Sequence, residues 1–499
     1  MSIDERISRL AEDRLAWRLV AVGCLVYAVS FFAFYPRVVT NEDESMYRRQ
    51  AILALQGIAE IFVIDPVTGE EVIYRPSKYP PGTALTMAPF VAVFGWPGMF
   101  MVPLLSLMVA VLVMARWLSD EGRSPLFALL LLGYPPALVM GRVGMSDVPS
   151  MAVVTVGLWL FWRGLGGDFR WWLASGFTAG ASMAFRDSNP ICLAPFFAGT
   201  VLRRDRHWWA LPIGGVAGLG VRLGAYGYFL GDPFYRRSLY ILALDAVPER
   251  LPLYLLATLI FVPGGLALAL LYRGRRWPEL VIVVAAFFTA YLIQRNYTFS
   301  TSTLKNLFNT PRYLLPLVPV MAFGMAESAP RLWTRLLERA GPERRRRLEK
   351  WRPRGVAAWA GAVILAAVCV HPASFLWSLT QGRIRDAIAE VIEHDDVLVT
   401  NHLATRKFID ELGRTYYPVD SRKIAVEDAN ALVERYGEIY VVFVDRTDST
   451  WWRRDAELNA RFVEGLEPEP VLLVDQQASP TDRLRIWRVT REGSPAARP

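Results

Sequence analysis

Apolar blocks parted by short basic clusters fill roughly the first 380 positions, and shorter apolar runs spaced by helix-like segments follow them. The first block, Leu19 to Tyr35, comes after a charged amphipathic start carrying Arg6, Arg9, Arg14 and Arg18. Others lie near 97–115, 125–141, 148–163, 171–185, 190–202, 208–230, 253–272, 277–293, 311–327 and 356–378. A helix needs about 20 mostly apolar residues to cross a bilayer, and these blocks reach or approach that length, so the pattern predicts an α-helical polytopic membrane protein with about eleven transmembrane helices. No small-residue cleavage pattern follows the first block, which predicts an uncleaved signal anchor.

Basic residues favour the cytoplasmic side of a membrane protein. The clusters at the N-terminus, Arg116 to Arg123, Arg163 to Arg170, Arg203 to Arg206, Arg273 to Arg276 and Arg344 to Arg347 therefore mark the inner face. The chain must cross an even number of times between such anchors. Counting the stretch Thr83 to Phe94 as a crossing would put Arg116 and Arg123 outside, and at about 12 residues it is too short to span. It is assigned to the outer interface, where an apolar helix of that length can rest. Residues 36–96 then form one large non-cytoplasmic loop inside a transmembrane module of residues 1–380. An odd number of spans puts the N-terminus in the cytoplasm of a multi-pass plasma (inner) membrane protein and residues 381–499 outside. There the runs Val397 to Thr400, Ile439 to Asp445 and Val471 to Val474 alternate with helix-like segments, predicting a small soluble α/β domain.

With 53% hydrophobic residues and 12% aromatics over 499 residues, composition agrees with a bilayer protein. The net charge of +8 resides in the clusters that set topology, which removes nucleic acid as a partner and leaves the lipid bilayer. The Arg run marks the inner face, with anionic lipid headgroups as a secondary partner. Cys24, Cys192 and Cys369 lie in apolar segments and match no disulfide or metal-ligand spacing.

The outer loops hold the groups that need a reason to be at a membrane surface. The first contains Asn41-Glu42-Asp43-Glu44-Ser45-Met46-Tyr47, a helical stretch through Gly57, and Lys78-Tyr79-Pro80-Pro81-Gly82. Acidic residues ahead of a helix can serve its dipole alone. Alternatively a carboxylate there acts as general base on an acceptor hydroxyl, with Asp43 the first candidate and Glu44 the second. Lys78, ahead of a stiff Pro-Pro turn, either snorkels at the interface or is aimed at a phosphate. Arg142 and Asp147 flank the start of another helix, where Asp147 has a capping role open to it as well. Arg186 runs against the charge bias, so an ion pair with Asp187 competes with a phosphate contact. Gly231-Asp232-Pro233, Arg295, Lys305, Arg312 and Tyr313 complete the set. Outer-face cations opposite an acidic loop suit transfer from a phosphate-linked donor: positive charge stabilises the leaving phosphate and a carboxylate activates the acceptor.

Asp43-Glu44-x-x-Tyr47, Lys78 before prolines, Phe94-Gly95, Asp147-x-Pro149, Gly231-Asp232-Pro233 and Arg312-Tyr313-x-x-Pro316 occur in an order that resembles the GT-C superfamily. That superfamily comprises membrane glycosyltransferases with lipid-phosphate sugar donors, including the protein O-mannosyltransferases and the lipid A aminoarabinose transferases. The resemblance covers most of the first 330 residues. It implies inverting transfer from a dolichyl- or polyprenyl-phosphate-linked sugar to an acceptor protein, lipid or glycan, with Asp43 and Glu44 as the acidic loop pair and Asp147 as a further site carboxylate. It also implies donor-phosphate binding by Lys78 and a donor contact by Arg312; Arg142 and Arg186, as outer-face cations, are expected at the same phosphate, and Tyr47, Tyr79 and Tyr313 are expected substrate contacts. Ser77 stands where the aminoarabinose enzymes carry a metal-binding Glu, so their zinc site is not carried over: no cofactor is assigned, and a divalent metal stays open. No phosphate-cradling Gly-rich loop is present. Rival expectations are a transporter or flippase of lipid-linked sugars, for which inverted repeats are absent, and a non-catalytic cell-envelope assembly protein.

Overall fold

Proline breaks some of the predicted apolar blocks and leaves others continuous. The computed structural model describes residues 3–40, 42–74, 79–235, 244–260, 262, 265–274, 276–293, 310–401, 415–446 and 453–491. Among these, Asp13–Ala33, Trp96–Asp120 and Pro342–Val391 are long and apolar enough to cross a bilayer, while Gly82–Phe94 and Trp277–Ile293 are shorter apolar helices. Elsewhere Asp147–Gly164, Phe169–Ser182 and Ala210–Leu230 run unbroken through the blocks near 148–163, 171–185 and 208–230, and other blocks are helical but broken. Over 125–141 the chain forms the pieces Pro125–Ala128, Leu129–Gly133 and Pro135–Met140. Pro135 forces Tyr134 into an extended conformation, φ −84° and ψ 106°, because the proline ring clashes with a helical residue before it. The block at 190–202 likewise opens as the 3-10 turn Asn189–Cys192 before the helix Ala194–Leu202. Eleven crossings therefore exceed what helix length and composition alone establish.

The chain divides into two compact units. The first comprises Met1–Tyr35, Pro80–Tyr297 and Leu304–Ser374. Its helices Phe169–Ser182 and Ala210–Leu230 meet at backbone distance. A Cβ added at Gly176 or Gly180 would collide with the carbonyls of Leu211 and Gly215, and one at Gly214 or Gly218 with those of Leu173 and Phe177. Two glycines four residues apart on each helix let the backbones approach, the device by which helices associate where lipid removes the hydrophobic drive. Gly218→Ala is expected to cost about 1–3 kcal/mol through overpacking, read as a lower melting temperature of the solubilised protein. Gly220→Ala, on a residue with open space around it, is the control that should leave stability near wild type.

The second unit comprises Pro36–Tyr79, Thr298–Thr303 and Phe375–Pro499, so the first-loop residues group with the C-terminal part of the chain. In the loop, β1 (Ile61–Ile64) and β2 (Glu71–Tyr74) form an antiparallel hairpin after the helix Glu42–Gln56. The C-terminal sheet contains β3 (Val397–Thr400), β4 (Val419–Asp420), β5 (Glu438–Arg446), β6 (Val471–Gln477) and β7 (Asp482–Thr490) in the order β4-β3-β5-β7-β6. β3 pairs in parallel with β4 and β5, whereas β7 runs antiparallel to both its neighbours. Alternation sends Val399, Ile439, Val441 and Phe443 to one face, against Leu432 and Val433 of the helix Val426–Tyr436 and Phe462 of Arg453–Glu464. Leu398, Tyr440, Val442 and Ile486 go to the other, against Ile384, Ile388 and Ile392 at the end of the long helix. The central strands are covered on both faces, as a predominantly apolar β3 requires, whereas edge strand β6 is largely exposed.

Candidate active site

Two groups of side chains, one in each unit, carry the chemistry expected of the outer loops. In the second unit, Asp43 and Tyr47 stand four residues apart on Glu42–Gln56 and so share a helix face. Tyr79 stacks on Tyr47, ring centroids 5.4 Å apart, and its hydroxyl donates to Asp43 Oδ1 at 2.5 Å. Asp43 is half-buried, whereas its neighbour Glu44 is fully buried. Glu44 Oε2 accepts from the Thr40 backbone N–H at 2.6 Å and from the Thr40 hydroxyl at 2.7 Å, so Glu44 closes the turn that starts the helix. The adjacent carboxylates thus have different work: the second shapes the backbone and the first is presented through a phenol. Lys78 lies outside the described residues, as do Ser77, Arg295 and Lys305. Arg48 and Arg49, one helical turn on from Asp43 and Glu44, are buried cations that sequence inspection passed over. The available signal was a pair of arginines in a loop assigned to the outer side.

In the first unit, Asp147 opens the helix Asp147–Gly164 and is fully buried. It caps nothing. Ser146 holds the N-cap position, without a side-chain bond, and Asp147 Oδ1 instead accepts from Arg186 Nη2 at 2.9 Å. The expected pair of Arg186 with Asp187 is replaced: Asp187 accepts from the Tyr226 hydroxyl at 3.1 and 3.2 Å and lies 3.5 Å from Arg222. Burial pushes the Asp187 carboxyl up from the usual carboxylate range, against the opposing pull of Arg222 and Tyr226. Arg186 also lies over the ring of Tyr313, 5.5 Å from its centroid, and Arg312 lies 5.1 Å from the same centroid. Tyr313 is held flat by stacking on Tyr291, whose hydroxyl is 2.5 Å from that of Ser188. Arg186 and Arg312 therefore share one aromatic platform at Tyr313, and planar guanidiniums are donors of the kind suited to phosphate oxygens.

Arg142 is used differently. Its Nη2 donates to the Phe34 carbonyl at 2.6 Å, and Nη1 lies 2.7 Å from Nδ1 of buried His371. A guanidinium can only donate, so His371 Nδ1 accepts and its proton resides on Nε2. These contacts tie the Gly141–Ser146 turn to His371 of the helix Pro342–Val391 and to Phe34, just past the helix Ile3–Ala33. Beside Asp147 and Arg186, an apolar groove of about 300 Å³ is lined by Phe90, Leu105, Val109, Pro149, Val153 and Phe185. Among the described residues, no cluster of three His, Cys, Asp or Glu side chains is placed to hold a metal ion.

No protein-family model matches the chain, and no curated protein matches it by sequence. By structure it is similar to ArnT from Cupriavidus metallidurans bound to undecaprenyl phosphate, at a TM-score of 0.61 and 16% identity over 94% of this chain and 97% of that one. Against the apo form of the same ArnT the TM-score is 0.61 and the identity 17%, over 96% and 98%. The apo oligosaccharyltransferase of Archaeoglobus fulgidus is similar at a TM-score of 0.51 and 12% identity, over 86% of this chain and 69% of that one. At these identities the likeness establishes the GT-C fold.

Proposed function

We propose that the protein is a membrane glycosyltransferase that moves a sugar from a polyprenyl-phosphate donor to an acceptor hydroxyl on the non-cytoplasmic face, with inversion at the anomeric carbon. The observation that carries the proposal is Asp43, a half-buried carboxylate at the start of an outer-loop helix with one oxygen engaged by Tyr79, in a chain that shares its fold with a protein crystallised with undecaprenyl phosphate. The acceptor oxygen forms a bond to the anomeric carbon as its proton passes to Asp43. The anomeric carbon–phosphate oxygen bond breaks, and its electron pair leaves with the polyprenyl phosphate. Tyr79 holds Oδ1, which leaves Oδ2 for the acceptor proton. Arg186 and Arg312 meet the leaving phosphate and stabilise the charge that develops on it. Lys78 serves the same phosphate by resemblance. The apolar groove beside Asp147 takes the first isoprene units. The finer topology belongs to the same proposal: about eleven spans, an inner N-terminus and an outer C-terminal domain.

Purified protein incubated with a panel of polyprenyl-phosphate sugars should be stabilised by, or should slowly hydrolyse, at least one of them. Silence with every donor would move the assignment to a carrier of lipid-linked sugars. Tyr79→Phe removes a hydrogen bond to a charged group, worth about 1.5–3 kcal/mol. A fall in kcat of roughly tenfold or more is expected, because 1.4 kcal/mol is a decade in rate. Unchanged kcat in the folded Tyr79→Phe protein would show that the phenol does not orient the base.

A further inference from the structure

The hairpin β1–β2 is the stretch of chain between the two partners of the candidate base. Asp43 sits on the helix that precedes it, and Tyr79 follows β2 after four intervening residues. Within the same compact unit, the C-terminal domain grips this hairpin at its tip. Ile64, at the end of β1, pairs in parallel with Tyr416, just ahead of edge strand β4: its N–H donates to the Thr415 carbonyl at 3.3 Å and its carbonyl accepts from the Tyr417 N–H at 3.0 Å. Arg435 Nη1 reaches the carbonyls of Pro66 at 3.2 Å and Val67 at 2.7 Å, and the Tyr436 hydroxyl donates to Pro66 O at 3.0 Å. The tip is shaped to be held. Asp65 closes it through bonds from Val67 N at 2.9 Å and Gly69 N at 2.7 Å, and Gly69 adopts φ +77°, a left-handed conformation that favours glycine. Tyr436 in turn packs edge-on against Tyr416, centroids 5.3 Å apart, which ties both contacts to the domain core.

We infer that the C-terminal domain is the positioning element of the general base: Arg435 and Tyr436 hold the hairpin so that the Asp43 helix and Tyr79 keep their mutual geometry. The inference rests on the assignment of Asp43 as base. A small displacement at a reacting group, on the order of 1 Å, can cost about a hundredfold in rate, so a clamp at the far end of a short hairpin is enough to control turnover.

The test uses the full-length protein in detergent or nanodiscs with a polyprenyl-phosphate sugar that it turns over. Arg435→Ala with Tyr436→Phe is expected to lower kcat about 10- to 100-fold with the KM for donor nearly unchanged, and Arg435→Lys to recover most of it. Residues that act as one unit show non-additive effects. Adding Tyr79→Phe to the clamp variant should therefore lower kcat little further, and a fully multiplicative loss would overturn the inference. Hydrogen exchange gives a readout independent of turnover: faster exchange across residues 42–56 and 61–74 is expected in the clamp variant, and protection equal to wild type overturns the clamp. If the double change reduces yield, Tyr436→Phe alone, which deletes one hydroxyl, carries the same comparison. An active Asp43→Asn protein would refute the base instead, while the exchange measurement would still decide whether the domain holds the hairpin.

Discussion

Asp43→Asn protein that is folded and membrane-inserted is expected to lose sugar transfer by a factor of about 10² to 10⁴, the usual contribution of a positioned general base. The substitution keeps the size of the side chain and an oxygen able to accept from Tyr79, so the helix start should survive. What it removes is the capacity to take a proton from the acceptor. The turn is guarded separately, because Glu44 already satisfies Thr40. Glu44→Gln should accordingly act on stability and Asp43→Asn on turnover. Donor binding, followed as stabilisation by a polyprenyl-phosphate sugar, should persist in Asp43→Asn. Full activity of this variant would remove Asp43 from the mechanism.

The second large effect is expected at the buried pair. Arg186→Met leaves the Asp147 carboxylate enclosed with its cation gone, and breaking a buried ion pair from one side costs about 3–5 kcal/mol. Asp147 is fully buried, and among the described residues its second oxygen has no hydrogen-bond partner, so little else is present to absorb the charge. The melting temperature of the solubilised protein should fall accordingly. Replacing both partners, as Arg186→Met with Asp147→Leu, should regain much of the loss, since a buried ion pair exchanged for well-packed apolar groups is often close to neutral. Transfer should not return with stability if Arg186 also serves the donor phosphate. A double variant that is both stable and active would confine Arg186 to a structural role.

The helical blocks were legible because a bilayer leaves the backbone few options: every amide in the hydrocarbon must be satisfied within its own segment, so long apolar runs become helices wherever proline permits. The breaks at Tyr134–Pro135 and near 190 follow from the same local rule, although apolar content alone conceals them. In the C-terminal domain three strands were legible from short apolar runs. β7 was not: in Asp482–Thr490 arginines interrupt the apolar positions, and the alternation carries the signal instead. The hairpin Ile61–Tyr74 went unrecognised for a related reason, since two four-residue strands joined by Asp65-Pro-Val-Thr-Gly69 resemble an ordinary polar loop.

Among the candidate residues the local sequence offered residue types, and distance in the chain concealed the pairings. Asp43 meets a phenol 36 residues on. Arg186 passes over its neighbour Asp187 for Asp147, 39 residues back, because Arg222 and Tyr226 already occupy Asp187. Arg142 reaches Phe34 and His371, 229 residues away. Sequence by itself determined the membrane class, the mostly helical character of the first 380 residues, the small α/β sheet region at the end of the chain and an acidic stretch after the first apolar block, all of which depend on periodicity and hydropathy within a few turns. Which carboxylate is spent on a turn, which cation faces which anion, and that the C-terminal domain grips the first loop were decided only in the tertiary structure. Those outcomes depend on competition among distant partners for the same few hydrogen-bonding atoms, and that competition begins once the helices and the sheet have packed.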